Sequence, residues 1–304
     1  MKTCILFPGQ GAQSIGMGKD FYDESKKVRE LFELASDVTK IDLKALIFEG
    51  SEEDLKQTRN TQVSLALVEW AASVCLHDRG IVPVGAAGFS LGEWPALVQA
   101  GIVSFEQMIA LVGERGRLMD EAGKRSGGST MAAVMNLEPA AIEKAIKDAG
   151  IDDVWVANYN SPVQSVISGT ESGMDKAEPA IKAAGAKRVI RLKVSGAFHS
   201  PIMKYAYDGF RELLTDVSFA APKLAFFSNV SGKQESDPAL IKKLAADQII
   251  SPVRWIDEQQ SIIGTGFERC IEAGPGTVLA GLWKATGSEI QFKSCSNLAQ
   301  MAEL

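Results

Sequence analysis

The chain has 304 residues, 46% hydrophobic and 23% charged, the composition of a globular protein with a sizeable core. Its formal net charge of −6 argues against a nucleic-acid partner. Four scattered cysteines (Cys4, Cys75, Cys270, Cys295) lack metal-ligand spacing and read as small buried hydrophobes of a reducing compartment. The apolar run at the N-terminus is too short for a signal peptide or a membrane span. We expect a cytoplasmic monomer with no membrane association and no bound metal.

Thr3 to Phe7 is a β-prone run that ends in Pro8-Gly9-Gln10-Gly11-Ala12-Gln13. This Gly-rich loop fits neither G-x-G-x-x-G nor a P-loop, and the P-loop lysine is missing. It is either a plain βα turn or a loop that presents backbone N–H groups to a site. Helical patterns run from Asp20 to Val38 and from Leu43 to Phe48, and Ser51 caps an acidic helix start. Gln62 to His77 is a strongly apolar helix with His77 at its end, complementing the helix dipole.

Val82 to Ala87 is short and apolar, Gly88-Phe89-Ser90-Leu91-Gly92 reads G-x-S-x-G, and Glu93 to Ala100 is helix-forming. Strand, tight turn and helix in that order describe a nucleophile elbow, with a serine at the tip of a strained turn and a helix N-terminus behind it. An ordinary glycine-serine turn is the alternative. Phe105 to Ala122 is a further helix, on which Arg115 and Met119 share a largely apolar face, so that Arg115 either snorkels or lies in a pocket.

Ser126-Gly127-Gly128-Ser129 is a flexible joint, after which the pattern changes to β-α-β-β-α-β. Strands at Thr130–Met135, Val154–Asn158, Gln164–Ser168 and Lys187–Val194, with helices at Glu138–Ala149 and Glu171–Ala184, match the ferredoxin-like order. We expect a large α/β subdomain over residues 1–125 and 195–304, with a mainly parallel sheet, interrupted by a small ferredoxin-like subdomain over 126–194. The return loop, Ser195 to Pro201, holds His199 and has no helical period. Helix follows at Ile202–Thr215, strand at Lys223–Ser228, helix at Pro238–Ile250, strand at Phe267–Glu272 and a last helix at Thr277–Lys284.

A serine hydroxyl needs a positioned base, and the sequence contains only two histidines. With His77 at a helix end, His199 is the economical choice. No acid is identifiable as a third member, but a carbonyl that fixes the imidazole tautomer suffices chemically. The N–H of Leu91 is the natural first oxyanion donor, and the loop at Gln10 a candidate second.

Several motifs occur in one order: Phe7-Pro8-Gly9-Gln10-Gly11-Ala12-Gln13, Gly88 to Glu93, Arg115 with Met119, Asn158-Tyr159-Asn160-Ser161-Pro162, Gly196-Ala197-Phe198-His199-Ser200, Gln248 before Ser251-Pro252-Val253-Arg254-Trp255, and Glu272 to Gly276. Together they resemble the malonyl-CoA:acyl-carrier-protein transacylases, over nearly the whole chain. The resemblance implies an α/β-hydrolase-like fold with a ferredoxin-like insert and a ping-pong transfer of malonyl from malonyl-CoA to holo acyl carrier protein, with no further cofactor. It implies Ser90 as nucleophile, His199 as base, the N–H groups of Gln10 and Leu91 as oxyanion hole and Arg115 as the carboxylate binder. The main-chain carbonyl of Gln248 would orient His199. Phe89, Met119 and Phe198 would line the acyl pocket, with Asn158 and Asn160 as further candidates.

One position departs from the family pattern. Phe89 stands directly before the nucleophile, where histidine is usual, which bears on acyl selectivity. Ala197-Phe198 resembles the malonyl type. Acyl carrier protein is acidic, so a local basic patch is expected, with Lys187, Arg188, Arg191 and Lys193 as one possibility and a solvated edge strand as the other. The same serine and histidine would also serve a hydrolase, a free-standing acyltransferase of a polyketide synthase would use the whole set, and a catalytically dead carrier-binding module is a further reading.

Overall fold

The structure, a computed structural model, describes residues 1–304. Its strands form two sheets. β1 (Thr3–Phe7) and β2 (Gly85–Gly88) belong to the large one. β3 (Ser129–Met135), β4 (Val154–Ser161), β5 (Gln164–Thr170) and β6 (Arg188–Arg191) make the small one. β7 (Ala225–Ser228), β8 (Lys233–Glu235), β9 (Arg269–Ala273) and β10 (Gln291–Cys295) return to the large sheet.

The large sheet has the order β10-β9-β1-β2-β7-β8 and is parallel except for the β7-β8 pair. Its central strands are buried along their whole length, as a parallel sheet covered by helices requires. β2 is built only of Gly and Ala, so neighbours come close: a Cβ at Gly85 would overlap the ring of Phe267. The small sheet is antiparallel with the order β4-β5-β3-β6, the strand arrangement of the ferredoxin-like unit. It has its own core of 12 buried residues, which includes Ile142, Ile167 and Ile181. A parallel bridge joins Asn158 to Val253, tying the small sheet to the large unit beside the site.

The structure departs from the sequence expectations in several elements. The helix expected over Asp20–Val38 breaks at Ser25, whose extended backbone and side-chain cap on the Val28 N–H start a second helix, Lys26–Thr39. The long apolar helix begins earlier, at Thr58, and runs to Asp78. β6 stops at Arg191, short of Val194. The helix expected to reach Ile250 ends at Asp247. β8, β10 and the helix Trp255–Gly264 were not anticipated.

Candidate active site

Phe7 and Gly88 end the paired register of two adjacent strands, so the Gly-rich loop and the elbow emerge side by side at the carboxyl edge of the large sheet. Open α/β sheets bind ligands at this edge. The elbow is tight. Ser90 has φ +53°, in the left-handed region that costs a non-glycine residue about 1–2 kcal/mol. A Cβ at Gly88 would overlap the carbonyl of Gly92, and one at Gly92 would overlap the carbonyl oxygens of Phe7 and Pro8. The two glycines therefore let the turn close on itself and on the neighbouring loop.

Ser90 Oγ lies 2.8 Å from His199 Nε2. His199, also left-handed at φ +58°, sits in a loop secured by Ser168 Oγ donating to Phe198 O at 2.6 Å and Ser200 Oγ donating to Ala197 O at 2.6 Å. His199 Nδ1 is 2.8 Å from the main-chain oxygen of Gln248. That carbonyl is at a helix C-cap, where the chain leaves the helix and carbonyls lack intrahelical partners. A carbonyl only accepts, so Nδ1 carries the proton and Nε2 is free to accept from the serine. Burial, and secondarily the charge of Arg115, push the pKa of His199 down to about 4, against the opposing hydrogen bonds to Gln248 and Ser251. The imidazole is therefore a neutral base at pH 7.

A cavity of about 210 Å³ opens in front of this pair. Among the residues singled out from the sequence, Gln10, Phe89, Ser90, Met119, Asn158, Asn160, Phe198 and His199 line it. Asn160 Oδ1 is buried without a protein partner. The Gln10 N–H has no acceptor in the protein, and the Leu91 N–H lies at the start of a 3₁₀ turn, where N–H groups have none within the turn. Phe89 packs edge-to-face on Trp255 at 5.5 Å between ring centroids and brings no polar atom to the site. His77 is exposed at its helix end, bonded to Gln99.

Leu91, Arg115 and Gln248 lie behind the cavity wall rather than on it. Arg115 neither snorkels nor faces solvent: it is fully buried, with Nη1 donating to Gln62 Oε1 at 2.7 Å and Nη2 to Gln248 Oε1 at 2.9 Å. Its Nε has no partner. Burial lowers its pKa to about 10, partly offset by Glu93, so it stays charged at neutral pH. A larger groove of about 540 Å³ lies on the other side of His199, lined by Trp155, Tyr159, Ile250 and the charged Glu143, Lys147 and Asp152. Ser90 does not reach it, and the serine-bearing cavity is the one with the chemistry.

The basic patch needs a correction. Arg191 is bound to Glu171, Asp175 and Glu178, so its charge is already neutralised within the small-sheet unit of the fold. Lys187, Arg188 and Lys193 remain exposed, and Lys193 lies between Leu192 and Val194, which line the cavity.

Sequence reasoning missed four polar residues of the site. Gln62 lines the cavity and holds Arg115; in the sequence it stands at the start of an apolar helix, which conceals that role. Asn229 clamps the elbow from behind, accepting from the Ser90 N–H at 2.7 Å and donating to Gly88 O at 2.6 Å and to Glu258 Oε2 at 2.8 Å. Glu93, first residue of the elbow helix, accepts from the Asn229 N–H at 3.0 Å and from Gln248 Nε2 at 2.7 Å. Gln248 Nε2 also donates to Ser90 O at 3.0 Å, so one glutamine touches Ser90, His199, Arg115 and Glu93. For Gln62 and Glu258 the signal available in the sequence is a polar residue within a helix on a side that periodicity assigns to the core; Asn229, in a turn, and Glu93, at a helix start, carry no such signal.

An α/β fold with a serine elbow and a carbonyl-oriented histidine beside a sheltered cavity is the framework of a serine acyl-transfer protein. The chain belongs to the acyl transferase domain family, whose model matches residues 4–303, and within it to the malonyl CoA-acyl carrier protein transacylases. It is 39% identical over 299 residues to the malonyl CoA-acyl carrier protein transacylase of Bacillus subtilis, covering 97% of this chain and 94% of that protein. An acyl carrier protein S-malonyltransferase structure from Vibrio cholerae superposes with a TM-score of 0.95 at 39% identity, covering 100% of this chain and 99% of that one. A malonyl-transacylase in complex with a holo type II polyketide synthase acyl-carrier protein superposes with a TM-score of 0.94 at 36% identity, covering 99% and 98%. No helix is long and apolar enough to cross a membrane.

Proposed function

We propose that the protein transfers a malonyl group from malonyl-CoA to the phosphopantetheine thiol of acyl carrier protein through a malonyl-Ser90 intermediate. The observation that carries this is the relay from Gln248 O through His199 to Ser90 Oγ, with a buried, charged arginine behind the same cavity. Ser90 Oγ attacks the thioester carbonyl carbon while its proton passes to His199 Nε2. The oxyanion is held by the N–H groups of Gln10 and Leu91. The C–S bond breaks and the departing CoA sulfur takes the proton from Nε2. In the second half-reaction the carrier thiol gives its proton to Nε2 and attacks the acyl-serine. The C–O bond breaks and Ser90 regains its proton.

Arg115 receives the malonyl carboxylate. Its guanidinium fork matches two carboxylate oxygens, and in the free protein Gln62 Oε1 occupies one of its donors. The carboxylate replaces that amide oxygen. Phe198 and Met119 bound the acyl group, and Asn160 Oδ1 offers an acceptor to a substrate N–H. A polyketide-synthase carrier is the second reading of the acceptor, favoured by the relative solved with such a partner. Intact-mass analysis after mixing with malonyl-CoA tests the intermediate: the wild type gains one malonyl group, and Ser90→Ala gains none. Equal labelling of both removes Ser90 from the reaction.

A further inference from the structure

Arg115 places a full positive charge in a site with no access to solvent, and something must balance it before substrate arrives. Two carboxyls are packed behind the elbow. Glu93 is 2% exposed and Glu258 is fully buried. Glu258, on the helix Trp255–Gly264, accepts from Asn229 Nδ2, and burial together with the neighbouring Glu93 holds its pKa well above the usual carboxylate range, so it is the protonated one. Glu93 is the counter-ion that remains. A single side chain, that of Gln248, separates it from Arg115: Nε2 donates to Glu93 at 2.7 Å and Oε1 accepts from Arg115 at 2.9 Å. The charged and titratable groups around Glu93 are thus Arg115 from the helix Phe105–Arg125 and Glu258. His199 feels the same arginine, and Asn229 and Gln248 supply the neutral hydrogen bonds.

A malonyl carboxylate at Arg115 brings a second anion to one cation. We propose that Glu93 takes up a proton from solvent as the malonyl group enters, so that the site accepts a carboxylated acyl group together with a proton and selects it by charge as well as by shape. The inference rests on Arg115 receiving the carboxylate. The balance is simple: the Glu93 carboxylate becomes a carboxylic acid, and no other bond changes. The group is suited to this, because burial raises its pKa to about 7 while its hydrogen bonds and Arg115 hold it from going higher. Drawing Arg115 toward a substrate anion weakens that restraint and pushes the pKa up.

Above about pH 7, Glu93 is ionised in the free protein and opposes the incoming carboxylate, so the preference for malonyl over acetyl falls as pH rises. Acetyl transfer brings no charge and shows no such trend. The test loads the protein with malonyl-CoA or acetyl-CoA in weakly buffered solution with a pH indicator near pH 7.5. We expect malonyl loading to take up roughly half a proton or more per acyl group beyond acetyl loading. In Glu93→Gln, which keeps an amide oxygen for Gln248 and Asn229, the difference disappears. The malonyl-to-acetyl ratio of kcat/KM in the wild type falls by up to about tenfold per pH unit above neutrality, and is flat in the variant. Should Glu93→Gln not fold, the wild-type proton uptake and pH slope decide alone. Malonyl loading with no excess proton uptake and a flat ratio overturns the role of Glu93 while leaving the acyl transfer intact. Failure of malonyl-CoA to acylate the protein at all overturns both.

Discussion

Replacing Arg115 by alanine separates recognition of the acyl group from the acyl chemistry. The side chain makes two hydrogen bonds in the free protein, to Gln62 and Gln248, and none to Ser90 or His199. A charge-assisted bond to a carboxylate is worth about 1.5–3 kcal/mol net. Exchange of the Gln62 amide oxygen for a carboxylate oxygen keeps the geometry and adds charge, so the gain specific to malonyl falls in the same range. That corresponds to about ten- to a hundredfold in malonyl over acetyl selectivity. The truncation also leaves Gln62 Oε1 and Gln248 Oε1 without a donor and removes the cation facing Glu93, at a cost of about 3–5 kcal/mol of stability. Both acyl groups share that structural cost, so the ratio isolates recognition. The assay is time-resolved intact mass with malonyl-CoA and acetyl-CoA in parallel, with a thermal melt to verify folding. We expect the malonyl-to-acetyl ratio to drop by about ten- to a hundredfold, with acetyl labelling retained. Arg115→Lys, which keeps charge but lacks the fork, falls between the two. Equal losses on both substrates would refute carboxylate recognition by Arg115.

Three further outcomes follow from the geometry. Gly92→Ala places a methyl group on the carbonyl oxygens of Phe7 and Pro8, so acylation is lost and the melting temperature falls even though no catalytic side chain has changed; wild-type labelling by this variant would contradict the tight elbow. Because His199 titrates at about 4 rather than 6.5, kcat/KM for acetyl-CoA stays level from pH 8 to about 5 and declines only toward pH 4; an acid limb near 6.5 would mean that burial and Arg115 do not depress it. Lys193→Glu, an exposed position between the cavity-lining Leu192 and Val194, raises the KM for acyl carrier protein while leaving discharge to a small uncharged thiol unchanged; an unaltered carrier KM removes Lys193 from the docking surface.

His199 and Glu93 make opposed contributions to the pH dependence of stability. His199 has a folded pKa below its unfolded value of 6.5, so the unfolded chain binds the extra proton and stability falls as pH drops from about 6.5 toward 4. Glu93 has a folded pKa above its unfolded value of 4.5, so its contribution is complete below 4.5 and is lost as pH rises toward 7. Each contribution amounts to about 3 kcal/mol at full effect. Over the shared window these two oppose each other, and the raised pKa values of the buried Glu69, Glu258 and Glu272 add to the loss with rising pH, so kinetics rather than melting reports on His199.

The sequence made the elbow legible because its meaning is local: strand, two glycines around a serine, helix. The two sheets followed from the change of rhythm at Ser126–Ser129 and the β-α-β-β-α-β order. Ser25 broke a long helical pattern through a single cap, a signal that periodicity overrides. β10, with the sequence QFKSC, and the helix Trp255–Gly264, with the polar run Asp257 to Ser261, carry weak patterns and form because neighbouring elements cover them. The polar heart of the site was hidden for a different reason. Gln62, Glu93, Asn229 and Glu258 matter through partners 19 to 155 residues away in the chain, among them Gln248, and no spacing rule connects such residues. Arg191 shows the converse, since its charge looked available until the helix Glu171–Ala183 brought three carboxylates to it.

The most direct measurement follows the fate of the acyl group on Ser90. The wild-type protein is loaded with malonyl-CoA, freed of excess substrate, and divided between buffer alone and buffer with holo acyl carrier protein, with the mass of both proteins read over time. Transfer predicts that the malonyl group persists on the enzyme in buffer and moves to the carrier on mixing, with no such movement from Ser90→Ala. Rapid release of malonate in buffer alone, with no gain of mass on the carrier, would contradict it.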